Sequence, residues 1–360
     1  MGRMSSLLIV KTLDADSAQA PEFQYLLSHS LLEAREVFDP VVLATSGEEE
    51  SGRFDAVLLL SSGNVLLCRQ SLAAMRDLLQ TGLQEVRPYR LAEAGLSAPV
   101  YTLRGYEREE RLFLAKEPTG VPINRSREPV ALLTFDRFQH LNDQDVGLGH
   151  AGLFHEFIDY YGEVRSDILP FVPADAREVL EVGCGRGVTG RLLQERLGCR
   201  VTGVELNPVV AREAARHLHR VIQGDVQDLE IEGGYDVVVA LEVVEHLVEA
   251  EAFLARIKRL LAPGGRAILS IPNVGHYSIV EDLIAGRWDY LPIGLLCYTH
   301  YRFFTRRTLA DWLRRAGVEK FELVPQKTEL PDRLRELPER FEADLESLAT
   351  KGFYVLIYHS

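Results

Sequence analysis

Cysteine is scarce in this chain. The four residues, Cys68, Cys184, Cys199 and Cys297, are scattered through 360 positions with no CxxC spacing. That scatter fits reduced thiols, buried as small apolar residues in a cytoplasmic protein, better than a disulfide framework or a zinc site. Long hydrophobic runs are lacking as well. No stretch reaches the roughly 18 apolar residues that cross a bilayer. The opening MGRMSSLLIVKTLDADS has too short an apolar core, and no small-residue cleavage site, to read as a signal peptide. No membrane association is expected. Basic charge is in deficit, with 40 Lys+Arg against 53 Asp+Glu and a net charge of −13. A general nucleic-acid binder would show a basic face, so that class is disfavoured, although a local basic pocket is still allowed. Internal repeats and low-complexity segments are also missing.

What is present is the composition of an ordinary globular protein, 46% hydrophobic and 26% charged, and long enough for two domains. In the first third, SLLIVKTL and FDAVLLLSSG read as strands, the second nearly continuous and so buried on both faces. CRQSLAAMRDLLQTGL places Leu72, Met75, Leu78 and Leu79 on one helical stripe. PVYTLRGYEREERLFLAKE reads as a hairpin around a charged turn. Residues 1–130 are therefore expected to form a small α/β domain, but they carry no metal cluster, nucleophile motif or phosphate loop that would assign it a role. Lys116–Pro129, with three prolines, a glycine and charges, is the best linker candidate, and 131–158 reads as a connecting segment whose VALLTFDRFQHL can still pack on the first domain.

From about His150 strands and helices alternate regularly: REVLEVG, VTGRLLQERLG, RVTGVEL, NPVVAREAARHLH, YDVVVALE, the long EHLVEAEAFLARIKRLLAPGG with its glycine stop, and RAILSIP. Such alternation implies an α/β fold with a parallel sheet covered by helices on both faces. Ligands of these sheets bind at the carboxyl ends of the strands.

The stretch VLEVGCGRGVTG lies at the first of those ends. Gly185, Gly187 and Gly190 satisfy G-x-G-x-x-G, which alone is a weak hint of a dinucleotide. Three carboxylates point elsewhere. Glu181 sits inside the strand, where a carboxylate needs a partner. Glu205 ends the next strand, placed to accept two hydrogen bonds from a ribose diol. Asp225 follows in VIQGDVQDL, beside the apolar Val226, where it can meet an adenine amine. The arrangement suits a positively charged adenosine ligand without a pyrophosphate.

Together EVGCGRG, the acidic Glu205, GDV and LLAPGG resemble the class I S-adenosylmethionine (SAM)-dependent methyltransferases, from about Asp159 to the C-terminus. The resemblance implies a Rossmann-like seven-stranded sheet over 159–360, with FELV and FYVLIYHS as its closing antiparallel pair. It also implies SAM as cofactor. Glu181 would face the methionine amino group, Gly183, Cys184, Gly185 and Gly187 would line the methionine and ribose, and Glu205 would bind the ribose hydroxyls. Asp225 and Val226 would hold the adenine, and Leu206 and Leu241 would complete the pocket. Upstream, YYGEVRSDILPFVP resembles the family's cap helix, with Tyr160, Tyr161 and Arg165 as contacts.

A sulfonium methyl is already activated, so the protein must align donor and acceptor and remove the acceptor's proton. On a helix beginning near Glu242, Glu245 and His246 follow at i+3 and i+4 on one face. Two readings fit. One is a divalent-metal half-site. In the other, acidic residues favour a helix's first turn and His246 bonds a backbone group. EVVEHL followed by THYRFFTR is similar to the metal-dependent small-RNA 2′-O-methyltransferases and the ubiquinone-pathway O-methyltransferases. The wider stretch is similar to bacterial glycan and secondary-metabolite methyltransferases. The resemblance implies Glu242, Glu245, His246 and His300 around Mg, Mn, Fe or Zn. Without a metal, His246 or His276 becomes the general base, with Glu242 the third catalytic candidate.

Arg302, Arg306 and Arg307 suit an anionic substrate or a solvated helix start. Trp288, Tyr290, Tyr298 and Tyr301 suit an acceptor lid or core packing. The expected activity is O-methylation of a hydroxyl on a small molecule or sugar, with the N-terminal domain serving substrate selection or homodimerisation. N-methylation, a non-catalytic SAM-binding regulatory or scaffold role, and nicotinamide-dependent oxidoreduction are the alternatives. The last is disfavoured by Glu181 and by the lack of a hydride-transfer site.

Overall fold

The computed structural model describes residues 6–11, 31–39, 41–45, 54–60, 65–90, 101–115, 130–134, 148–156, 161–291, 294–336 and 342–359. The chain divides into two compact units: Met1–Ile158 with Leu291–Ile293, and Asp159–Tyr290 with Gly294–Ser360.

The first unit is built on β1 (Leu7–Lys11), β2 (Val41–Thr45), β3 (Ala56–Leu60), β4 (Val65–Leu66), β5 (Glu85–Arg90), β6 (Val130–Thr134) and β7 (Leu148–Glu156). They lie in the order β2-β1-β3-β6-β5-β7-β4. Helix α1 (Arg69–Leu79) buries Leu72, Met75 and Leu79, so most of the expected stripe faces the core and Leu78 packs at its margin. Two expectations need correcting. The supposed hairpin is instead helix α2 (Leu103–Leu114). Its Arg- and Glu-rich run has good helix formers, Tyr106 and Glu110 fall four apart on the buried side, and the Thr102 hydroxyl accepts from Gly105 N–H at the helix start. The stretch 131–158 is not a bare connection, since it supplies most of β6, antiparallel to β3 and β5, and all of β7, parallel to β5. The linker candidate Lys116–Pro129 lies outside the described residues.

The second unit is a seven-stranded sheet of β8 (Glu178–Val182), β9 (Arg200–Glu205), β10 (Arg220–Gln223), β11 (Tyr235–Leu241), β12 (Leu261–Pro272), β13 (Phe321–Lys327) and β14 (Thr350–Tyr358). The order is β10-β9-β8-β11-β12-β14-β13, parallel except for β14, which is antiparallel to both neighbours. This is the expected Rossmann-like seven-stranded sheet, including the closing antiparallel pair. Alternation along each strand divides the core between its faces. Leu180, Val238, Ala240, Leu269 and Val355 join one cluster, with Phe253 and Ile257 of α5 (Ala250–Leu260) and Leu309 and Leu313 of α7 (Arg306–Arg315). Val179, Val237, Val239, Ile268 and Leu356 join the other, with Leu193 of α3 (Val188–Leu197) and Ala214 of α4 (Pro208–Ala214). Helices α6 (Tyr277–Ile284) and α8 (Leu345–Leu348) complete the unit. Both faces are covered, which is why these strands read as continuous apolar runs.

Three local readings change. The segment likened to a cap helix is a 3-10 helix, Ser166–Phe171, tightened around Pro170. Tyr160 lies outside the described residues. The long helix expected from Glu245 starts only at Ala250. Between β11 and α5 the chain forms a single 3-10 turn, Val244–His246, because Glu242 adopts a left-handed φ of 53° and swings the backbone off the strand end. Among the described residues no helix is long and apolar enough to cross a membrane.

Candidate active site

The site lies at the carboxyl ends of β8, β9 and β11, where the parallel sheet switches direction between β8 and β11. After β8, Gly183, Gly185 and Gly187 all take positive φ (68°, 53° and 75°), a conformation that costs other residues dearly. A Cβ on Gly185 would stand 2.5 Å from the Tyr161 carbonyl oxygen. That carbonyl accepts from Arg186 N–H (2.8 Å), so Tyr161 braces the loop through its backbone. Gly183 and Cys184 donate to the Val204 carbonyl (2.8 and 3.1 Å), which ties the loop to β9. The Cys184 thiol is buried, and desolvation pushes its pKa up, so it packs as an inert residue. All four cysteines are buried and unbridged, as expected.

Glu181 is buried beneath this loop. A Cβ on Gly190 would approach its Oε2 to 2.5 Å, so the glycine at the start of α3 exists to admit the carboxylate. Burial pushes the pKa of Glu181 up to about 8, against a lowering by the Gly190 N–H and with a further rise from Glu205. Its Oε2 has no hydrogen-bond partner.

Glu205 is positioned by its own chain neighbours. Its Oε2 accepts from Gly185 N–H (3.0 Å) and its Oε1 from Asn207 N–H (2.9 Å). A carboxylate held in this way at the end of β9 presents the acceptor type that a ribose diol requires. Asn207 then caps α4, accepting from Val209 and Val210. Beside Glu205, Leu206 is 64% exposed, a large apolar side chain presented beyond the strand end. Asp225 accepts from Gln227 through backbone N–H (2.8 Å) and side chain, and Val226 is buried beside it. Leu241, half-buried, ends β11.

Past Leu241 the geometry departs from the expected helix face. Glu242, a non-glycine residue in the left-handed region, is held by Ser270, whose Oγ accepts from its N–H (2.9 Å) and donates to its Oε1 (2.7 Å). Such outliers persist only where their surroundings enforce them. The same Oε1 lies 3.7 Å from Arg165 Nη1. Arg165 also donates to Tyr354 Oη (2.8 Å) and Asp167 (3.2 Å), and Tyr354 Oη donates to Asp167. Its guanidinium is therefore engaged with protein partners at the edge of the site.

The 3-10 turn brings Glu245 and His246 to His300, and one ligand-capable atom from each lies within 4.8 Å of the other two. Glu242 is not one of this trio: Ser270 and Arg165 hold its carboxylate, which stands beside Glu245 and raises that residue's pKa. Glu245 is fully buried, and neither of its oxygens has a hydrogen-bond partner. Desolvation, and then the Glu242 charge, raise its pKa well above the usual carboxylate range. Burial lowers the pKa of His246, and lowers that of His300 to about 3 with help from His246, so both rings are neutral near pH 7. The rings meet edge-on at 4.6 Å. Tyr301 N–H donates to the Glu245 carbonyl (2.9 Å), pinning the His300 loop to the turn.

His276 is not brought to this group. It is the N-cap of α6, with Nδ1 on Ser278 Oγ (2.8 Å) and Nε2 on Thr328 Oγ1 (2.9 Å), so both ring nitrogens are committed and it is no general base. Arg302 donates to the Leu247 and Val248 carbonyls, and Arg306 pairs with Glu346, which gives both a structural task rather than an anion to hold. Trp288, Tyr290 and His300 surround Phe303, with ring centroids 5.3, 6.4 and 6.1 Å away. Sequence reasoning missed Ser270, Tyr354 and Thr299. The first two come from strands read only as core. Thr299 adjoins His300, but its contact with His246 spans 53 positions.

A family described as a methyltransferase domain matches residues 154–323. Among curated proteins, a ubiquinone biosynthesis O-methyltransferase of Xanthomonas axonopodis pv. citri is 35% identical over 158 residues, which is 41% of this chain and 64% of that protein. The similarity thus spans slightly less than two thirds of that relative. The protein of the same name from Pseudomonas aeruginosa is 30% identical over 162 residues, 41% of this chain and 67% of its own length. A solved SAM dependent methyltransferase from Archaeoglobus fulgidus aligns at a TM-score of 0.40 and 19% identity, over 54% of this chain and 91% of that one. With the sheet order, the glycine loop and Glu205 in place, the chain belongs to the class I SAM-dependent methyltransferases.

Proposed function

We propose that this chain is an O-methyltransferase that uses SAM to methylate a hydroxyl of a small molecule, with Glu245, His246 and His300 holding a divalent cation at the acceptor. One observation carries the reading: a carboxylate with 0% exposure and no hydrogen-bond partner lies against two neutral imidazoles. An unpaired buried carboxylate is costly, and a cation is the partner that such a donor set fits. Imidazole with carboxylate suits Zn and Fe as well as Mn, and Mg more weakly. The name shared by the relatives supports O-methylation of a small molecule.

Bound SAM supplies a methyl already activated by its sulfonium, and a cation here supplies Lewis acidity that lowers the acceptor hydroxyl's pKa. The chain's own residues do the rest. The positive-φ glycines make the tight turn against which adenosine and methionine can lie, and a Cβ on Gly183 or Gly185 would push that turn off Val243 or Tyr161. Glu205 accepts from the ribose hydroxyls, Leu206 and Val226 offer apolar contact to the base, and Asp225 accepts from its amine. Neutral imidazoles at His246 and His300 are competent to bind a metal or to take the hydroxyl proton. The aromatic group around Phe303 gives flat walls beside His300, suited to an acceptor with a ring, phenolic or sugar.

The test combines SAM with panels of phenolic metabolites and sugar nucleotides, using mass spectrometry to detect a hydrogen replaced by a methyl. A chelator should abolish turnover, and one of Mg, Mn, Fe or Zn should restore it. Metal content and activity unchanged by the chelator, Glu245→Ala and His300→Ala sink the metal site. Binding of NAD but not S-adenosylhomocysteine sinks the methyltransferase reading altogether.

A further inference from the structure

Ser270 is the only polar residue in the run Ala267–Pro272 of β12, and it is fully buried. A hydroxyl is tolerated in such a place where its hydrogen bonds are made. Both go to one residue. Ser270 Oγ accepts from Glu242 N–H (2.9 Å) and donates to Glu242 Oε1 (2.7 Å), while the Ser270 carbonyl takes the same N–H at 3.3 Å. The strand register sets Ser270 opposite Leu241, the last residue of β11, so the hydroxyl meets the chain where it leaves the sheet. There Glu242 takes its φ of 53°, a conformation that disfavours a non-glycine residue roughly tenfold. Only Val243 and Val244 separate it from Glu245, so the bend at Glu242 sets the direction in which the 3-10 turn presents Glu245 and His246. On the other side Tyr301 N–H holds the Glu245 carbonyl (2.9 Å), which fixes the turn between β12 and the His300 loop.

We infer that Ser270 is a positioning residue for methyl transfer: its hydroxyl holds Glu242 left-handed, and through that bend aims Glu245 and His246 at His300. The consequence for a cation rests on the function proposed above, whereas the bend does not. Glu242 thereby has a task of its own. Its backbone makes the bend, and its carboxylate, 3.7 Å from Arg165 Nη1, is the second point by which Ser270 grips it. A glycine at this position would adopt the bend unaided, whereas an alanine would resist it. Supports behind the ligands orient a metal site, and their loss weakens metal affinity about 10- to 100-fold.

The experiment uses the full chain and compares Ser270→Ala alone with Ser270→Ala joined to Glu242→Gly and Ser270→Ala joined to Glu242→Ala. Both double variants lack the hydroxyl and the carboxylate, so they differ in how well residue 242 tolerates a positive φ. His246 and Leu247 N–H close the turn on the Val243 and Val244 carbonyls (3.0 and 3.2 Å), and their hydrogen exchange reports the turn without any metal. Ser270→Ala should speed that exchange and weaken Mn2+ binding to the chelator-stripped chain, each about tenfold. The glycine double variant should regain both, and the alanine double variant neither. Unchanged exchange in Ser270→Ala overturns the inference, as do glycine and alanine double variants that behave alike. If Ser270→Ala does not fold, Ser270→Cys takes its place throughout, keeping the bulk and offering only a weak thiol donor. If wild type binds no Mn2+, the proposed metal site fails, while the exchange contrast still judges Ser270.

Discussion

Replacing Glu181 by glutamine should make the second unit less sensitive to alkali. Burial holds this carboxyl at about 8, against 4.5 for a free glutamate. An acid with a raised folded pKa keeps its proton longer in the folded chain than in the unfolded one, so stability falls as pH rises between those values. Across the whole window the loss amounts to roughly 5 kcal/mol, at about 1.36 kcal/mol per pH unit. Glutamine keeps the shape and an acceptor for Gly190 N–H but has no proton to lose. The stability of Glu181→Gln relative to wild type should therefore increase by roughly 3 kcal/mol between about pH 5.5 and pH 8. Urea unfolding at the two pH values measures it directly. Both tryptophans, Trp288 and Trp312, belong to the second unit, so their fluorescence reports that unit alone. Subtracting wild type from variant cancels every other titration. A difference that stays constant across this range refutes the claim that Glu181 is a desolvated acid.

Gly185→Ala should cost S-adenosylhomocysteine at least about tenfold in affinity by calorimetry, since a positive φ costs an alanine roughly 1–2 kcal/mol and its Cβ would meet the Tyr161 carbonyl. Wild-type affinity would show that the loop is not what cradles the cofactor. His276→Ala should lower stability by about 1–2 kcal/mol through the lost cap yet leave turnover per folded molecule unchanged, because both ring nitrogens serve Ser278 and Thr328. A collapse of turnover in a stable variant would return His276 to the chemistry. In the first unit, burial lifts Glu110 to about 7 while Ser71 Oγ donates to it at 2.5 Å. Local stability at the start of α1 should thus fall as pH rises from 4.5 toward 7, and Glu110→Gln should flatten that fall in amide hydrogen exchange.

The strand–helix rhythm from about His150 was legible because each strand is buried on both faces and each helix has one apolar stripe. Glu205 and the glycines were legible because a strand end, a tight turn and a carboxylate about 20 residues on are all local signals. The helix α2 was misread because its charged run resembles a turn until Tyr106 and Glu110 are seen facing the core. The turn at Glu242 was not legible because nothing in EVVEHL announces a left-handed residue. Only the hold of Ser270, 28 positions away, makes that conformation stable.

By itself, then, the sequence determined the class of sheet, the cofactor loop and the residue types available for chemistry, since these depend on periodicity and on neighbours within a turn or two. The tertiary structure decided which of those residues meet. It removed His276 to a helix cap, set Glu242 against Ser270 and Arg165, and joined Glu245 and His246 to His300 and Thr299. Those choices turn on burial and on contacts across dozens of positions, where the cost of an unpaired carboxylate is set by groups that no local pattern can place.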